Sequence, residues 1–293
     1  MITTRNRKAD LRRALFSCIS QDYPALGISV YDDCSEDGTA ELVRTEFPQV
    51  IVRRSSERLG LVTLRNRAYQ ETNASYVLSL DDDAWLTNRS TVGILVRQIE
   101  SDPKVSALAI PYLEVPPMGR AKVSCAIATG AELRSYVGTA HLCRVRAVRD
   151  VGGYRDLLVH QGEERDLCIR LRAAGWSIRM AFAPPIVHAV SPSRDLGRMQ
   201  RYGVRNQVLY DFFYAPWFIV PIVTIRHIYH LVRYRLDVRW ALTTLLYTME
   251  GVRDCWRYRQ YRTPWTIVDY LAHIRLPVHG PRYVECSDLP PPC

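Results

Sequence analysis

The feature that most constrains this chain is an alternation filling its first 190 residues. Short apolar runs (GISVYDD from Gly27, VIVRR from Val50, SYVLSLDDD from Ser75) are separated by stretches of helical period at Asp10–Ser20, Thr39–Glu46 and Leu61–Thr72. Strands alternating with helices predict a largely parallel sheet with helices on its faces. In such a sheet, ligands collect beyond the carboxyl ends of the strands. Acidic residues fall there twice: Asp32 and Asp33 close the run Ile28–Tyr31, and Asp81, Asp82 and Asp83 close Tyr76–Leu80. The first strand is short, with only Met1, Ile2 and Thr3 before the polar turn around Arg5–Lys8. This leaves open a start of the strand further upstream.

Past Pro192 the pattern changes to long helical stretches, Asp195–Tyr214 and about Pro221–Arg259, rich in Arg, Tyr and Trp. The most apolar window, Phe212–Ile225, holds two prolines and falls short of the roughly 20 residues that span a bilayer, so it is expected to be interfacial or buried. The expected organisation is an α/β domain over 1–193, a basic, aromatic-rich helical region over 194–283 and a disordered tail over 284–293.

Charge is distributed unevenly. The net charge is +9, and lysine occurs only at Lys8, Lys104 and Lys122, so nearly all the basic residues are arginine. Between Arg194 and Val284 there are 14 Arg against six acids. Such a block suits an anionic membrane surface, a nucleic acid or a phosphorylated substrate, with a solvated basic face as the plain alternative. No recognisable nucleic-acid module is present, so no nucleic-acid partner is expected. The aromatic and arginine mixture suits the headgroup region of a membrane. At 47% hydrophobic and 24% charged residues, disorder is excluded. Eight cysteines without a CxxC pair read as reduced thiols, and the polar, basic N-terminus does not read as a signal peptide. Together these predict a cytoplasmic protein, with peripheral attachment to the inner face of the membrane left open.

Three adjacent carboxylates at Asp81, Asp82 and Asp83 repel one another unless a cation or donors neutralise them, which invites a divalent metal. A solvated acidic turn is the alternative. A strand followed by DxD also resembles phosphatases of the haloacid dehalogenase type, but Ala84 and Trp85 stand where those enzymes have a small residue and then Thr. A receiver domain would not explain the length of chain that follows.

Several strings occur together: TTRNRKADLRRALFSCISQDYP, VYDDCSEDGTAELV, RLGLVTLRNRA, YVLSLDDDAWL, VGGYRD, GEERDLCIRLRAAGW and PPIVH. In order and spacing they resemble the inverting nucleotide-sugar glycosyltransferases of family 2, over about residues 1–206 and weakly again at Met249–Asp254. The resemblance implies a GT-A fold, a Rossmann-like sheet flanked by helices, here with a C-terminal helical region. It implies that Thr3 and Asp33 hold the nucleotide, that Arg65, which with Asn66 matches the family's RN pair, also binds the nucleotide sugar, and that Asp81 or Asp82 reaches the ribose or a metal-bound water. Asp83, with His188 as a further ligand, would hold Mn²⁺ or Mg²⁺ against the donor diphosphate. Glu164 stands where the general base is expected, although the family most often has Asp there. Helix-start acids also have an ordinary role against the helix dipole, and Asp166 has an i,i+4 partner in Arg170. The implied reaction moves a sugar from a nucleotide-sugar donor to a hydroxyl of a glycan or lipid-linked acceptor. A catalytically inactive relative that binds an anionic membrane is the rival. Arg198, Arg201 and Arg205 share one helix face. They are candidates for a diphosphate or an acidic acceptor, or for a solvated stripe.

Overall fold

A computed structural model describes residues 1–116, 122–123, 128–190, 195–234 and 237–279. Arg194, three of the cysteines (Cys125, Cys286 and Cys293) and the expected tail at 284–293 lie outside the described residues. Among the described residues the strands are β1 (Ile2–Thr4), β2 (Ser29–Asp32), β3 (Ile51–Arg54), β4 (Tyr76–Asp81), β5 (Ala84–Trp85), β6 (Val105–Ala109), β7 (Tyr112–Val115), β8 (Lys122–Val123), β9 (Ala140–Arg144), β10 (Ser177–Met180) and β11 (Ile186–Ala189). The helices are α1 (Lys8–Ile19), α2 (Thr39–Glu46), α3 (Leu61–Glu71), α4 (Thr91–Ser101), α5 (Val145–Asp150), α6 (Glu163–Ala173), α7 (Leu196–Tyr214), α8 (Val220–Tyr234), α9 (Val238–Arg257) and α10 (Ile267–Arg275). The chain divides into a sheet unit, Met1–Tyr154 with Leu167–Ser193 and the segment from Pro277, and a helical unit, Arg155–Asp166 with Arg194–Leu276.

In the sheet unit, seven strands run in the order β10-β6-β9-β4-β1-β2-β3. The half β4-β1-β2-β3 is parallel, as the strand–helix alternation predicts, while β9 runs antiparallel between β4 and β6. Side chains alternate between two cores. Leu80, Leu108 and Leu142 point to one with Leu11, Leu15 and Val43, and Val77, Ala107 and Cys143 point to the other with Val62, Leu167 and Leu171. Both faces are covered, which is why these strands read as continuous apolar runs. A second sheet, β5-β11-β7-β8, starts where β4 ends, so Asp82 and Asp83 form the turn between the two sheets. Although only three residues long, β1 is flanked by β2 and β4 in parallel register, with Thr3 opposite Tyr31 and Asp81.

The segment Pro277–His279 belongs to the sheet unit. Arg134 N–H donates to the Pro277 carbonyl, and Val137 N–H donates to His279 Nδ1 at 3.2 Å. The His279 ring packs edge-on against Tyr112 at 5.2 Å, and burial pulls it down to about 4. An imidazole buried in its neutral form stabilises the fold above its unfolded value of 6.5, and that contribution is lost as pH falls through about 4. Stability should therefore drop by about 3 kcal/mol between pH 6.5 and pH 4 from this residue. Urea unfolding across that window tests it, and His279→Leu should flatten the slope.

In the helical unit, the stretch expected as one helix from Pro221 to Arg259 is two. Asp237 accepts from Trp240 N–H and so caps a new helix, α9. Helix α7 packs along α9, and the two approach closely at Gly251, where an added Cβ would lie 2.8 Å from Val208 Cβ and 3.0 Å from the Arg205 carbonyl oxygen. Gly251→Leu should cost roughly 2 kcal/mol or more by forcing the helices apart, read as a lower urea midpoint.

Candidate active site

The site is built where β1, β2 and β4 end at one edge of the sheet. The three carboxylates of the Asp81–Asp83 turn are directed to different partners. Asp81 receives Arg65 at 3.2 Å. Arg65 is 1% exposed, on the inner face of α3, and also donates to the Gly138 carbonyl. It is therefore an interior cation, unlike the solvated arginine that a helix surface usually carries. Its neighbour Asn66 clamps the backbone of Tyr154, donating to its carbonyl and accepting from its N–H, both at 2.8 Å.

Asp82 is buried and accepts from Thr4 Oγ1 at 2.7 Å and from Arg7 at 3.0 Å. Burial pushes its carboxyl up to about 7, the charges on Asp83 and Asp81 push the same way, and Arg7 and Thr4 oppose them. A carboxyl held there gains from any additional positive charge nearby. Asp83 is 5% exposed and divides its oxygens: Oδ2 accepts from Arg7 at 2.8 Å, while Oδ1 faces His188 Nε2 at 3.4 Å. His188 is held on β11, paired with Ala84 across the ladder, with Glu114 at 3.9 Å from its Nδ1.

Asp81, Asp83 and His188 offer ligand atoms that lie within 4.8 Å of one another. Two carboxylates and an imidazole suit a borderline-hard divalent cation such as Mn²⁺, and carboxylates alone suit Mg²⁺. The division of Asp83 leaves Oδ1 on the His188 side while Arg7 occupies Oδ2, so the residues present fit a metal at this position.

At the neighbouring strand end, Asp32 and Asp33 separate in role. Asp32 is fully buried, and its Oδ1 accepts from Ser35 N–H, a turn-forming contact. Asp33 accepts from the N–H groups of Leu59 and Gly60 and so fixes the loop that leads into α3. Thr3 is buried on β1 between the two acidic strand ends. Thr3, Asp33, Arg65, Asp81, Asp82, Asp83 and His188 thus all belong to the sheet unit.

Glu164 belongs to the helical unit, in the first turn of α6, and is partly exposed, whereas Glu163 and Asp166 are buried. Asp166 accepts from Arg155 at 3.1 Å and from Tyr214 Oη at 2.5 Å. The Asn206 amide donates to the carbonyls of Leu158, His160 and Gln161, which fixes the loop preceding Glu164. Arg205, read from sequence as a ligand for phosphate or as a solvated residue, is instead buried against Asp254 at 2.7 Å, and Arg201 meets Glu250. The weakly matching segment at Met249–Asp254 supplies both acids.

Arg7 was not foreseen from the sequence. It lies in the turn after β1, and the signal becomes readable only once β1 and β4 are neighbours, because then that turn and the triplet share one edge. Arg7→Ala should lower stability by roughly 1–3 kcal/mol, since two buried carboxylates lose their shared donor. Chemical denaturation with and without Mn²⁺ tests this, and added Mn²⁺ should recover part of the loss.

Residues 1–134 match the family model described as Glycosyl transferase family 2. No curated protein matches the chain. Among solved structures, the chain is similar to S. aureus TarS 1-349 in complex with UDP (20% identity, 70% of this chain and 63% of that one, TM-score 0.56). It is also similar to the mannosyltransferase PcManGT from Pyrobaculum calidifontis in complex with GDP-Man and Mn²⁺ (20% identity, 92% and 77%, TM-score 0.57). A third is GalNAc-T7 with UDP, GalNAc and Mn²⁺ (16% identity, 70% and 46%, TM-score 0.56). The chain spans less than two thirds of the TarS 1-349 length. The family match covers residues 1–134, less than half of the chain, and the likeness to these solved structures shows a fold of the GT-A kind.

Proposed function

We propose that this protein transfers a sugar from a nucleotide-sugar donor to a hydroxyl of a glycan or lipid-linked acceptor, with inversion at the anomeric carbon. The observation that carries the reading is the grouping of Asp81 and Asp83, which fall within the residues that match the family 2 model, with His188 from β11. Solved structures of similar fold hold UDP, UDP-GlcNAc or GDP-Man, two of them together with Mn²⁺.

In this reading Thr3 and Asp33 meet the nucleoside, where a carboxylate suits a base N–H or a ribose hydroxyl. Arg65 holds Asp81 in place, and Asp81 or Asp82 reaches the ribose or a metal-bound water. Asp83 and His188 hold Mn²⁺ or Mg²⁺, which when bound offsets the charge on the departing diphosphate. Glu164 takes the proton from the acceptor hydroxyl as that oxygen forms its bond to the anomeric carbon, and the bond to the nucleoside diphosphate breaks on the opposite face. A phosphatase of the haloacid dehalogenase type needs Asp81 as a nucleophile, whereas its carboxylate is ion-paired to Arg65.

Positioned base catalysis contributes about 10² to 10⁴ in rate, so Glu164→Gln should lose turnover by that factor and keep donor affinity within about twofold. Asp83→Ala should lose the metal-dependent part of donor binding. Calorimetry with UDP, GDP and dTDP, each with and without Mn²⁺, combined with a transfer assay, checks both. Equal donor affinity in Asp83→Ala and wild type would sink the assignment of Asp83.

A further inference from the structure

Helix α9 has its polarity inside out. The side turned inward carries Thr244, Thr248, Gly251 and Asp254, all buried, while Leu242, Leu245, Leu246, Met249, Val252 and Trp256 are between 55% and 74% exposed. The spacing of three and four residues puts these apolar side chains on one continuous face. The inward polar groups are satisfied by α7: Gln200 donates to Thr243 and Thr244, Arg201 pairs with Glu250, and Arg205 pairs with Asp254. Helix α8 repeats the arrangement, with Ile222, Ile225 and Tyr229 exposed at 56% or more. A globular helix ordinarily turns its apolar stripe to the core, and an exposed apolar surface of this extent marks an interaction site.

Charge identifies the occupant. Helix α8 carries no acid, and of the two acids of α9, Glu250 pairs with Arg201 while Asp254 pairs with Arg205 and with Arg253 of its own helix. Arg226, Arg233, Arg239, Arg253 and Arg257 are exposed on the same two helices. A second copy docked face to face would bring arginine against arginine, whereas anionic headgroups complement it. No helix among the described residues is long and apolar enough to cross a membrane.

We infer that α8 and α9 lie in the plane of an anionic lipid surface, with Leu242, Leu246, Met249 and Trp256 inserted among the acyl chains and the exposed arginines at the headgroups. Apolar insertion together with cationic attraction is the usual basis of such binding. The inference concerns helices that carry none of the donor residues and does not depend on transfer activity.

Co-sedimentation of the full chain with vesicles tests it, using phosphatidylcholine alone and an equal mixture of phosphatidylcholine and phosphatidylglycerol. The wild type should pellet with the anionic vesicles and be released by high salt. The triple variant Leu242→Gln, Leu246→Gln, Met249→Gln should bind roughly a hundredfold more weakly. Arg239→Gln with Arg257→Gln should bind roughly tenfold more weakly. These side chains are exposed, so circular dichroism of each variant should match the wild type. Failure of the wild type to pellet overturns the inference, as does pelleting of the triple variant at wild-type level. A dimer in sedimentation velocity that the triple variant converts to monomer, without vesicle binding by the wild type, overturns it in favour of a second copy.

Discussion

Three consecutive carboxylates at the junction of two sheets are the constraint on which the site depends. Buried or half-buried carboxylates in sequence cannot coexist without compensation, because each raises the cost of ionising the next. The fold assigns each one a separate neighbour: Arg65 from α3 for Asp81, Thr4 with Arg7 for Asp82, and Arg7 with His188 for Asp83. These partners come from distant points in the sequence and meet because β1 lies beside β4 and β11 lies beside β5. The order of the strands is thus what turns a repulsive string into a candidate metal-binding group.

Much of this was legible in the sequence. The parallel half of the sheet announces itself through apolar runs ending in acids, and α2 falls on the expected Thr39–Glu46 because its turn and its apolar spacing agree. What stayed hidden depends on neighbours distant in sequence. The interior position of Arg65 follows from the packing of α3, which periodicity on a short helix cannot show. Arg7 looks like one basic residue in a basic turn until the strand order is known. The break before α9 rests on a single capping aspartate, Asp237, inside a stretch of otherwise uniform helical composition.

The helical unit shows a further limit of pattern reading. Hydrophobic periodicity marks α8 and α9 as amphipathic, but it does not say which face is turned inward. Here the inward choice is made by ion pairs and by a glycine: Arg205 with Asp254, Arg201 with Glu250, and Gly251 at the closest approach of α7. Of the two pairs, only Arg205 with Asp254 is buried, and a buried charge pair adds little net stability but is costly to break. The same pairs that fix α9 against α7 leave its apolar side exposed.

The central claim is that Asp83 and His188 together hold a divalent cation at the end of β4. The most direct measurement is pulsed electron paramagnetic resonance of Mn²⁺ bound to the protein with a nucleoside diphosphate present. The account predicts nitrogen coupling from a directly bound imidazole that disappears in His188→Ala. Mn²⁺ bound with no nitrogen coupling, or with a coupling that survives in that variant, would contradict it.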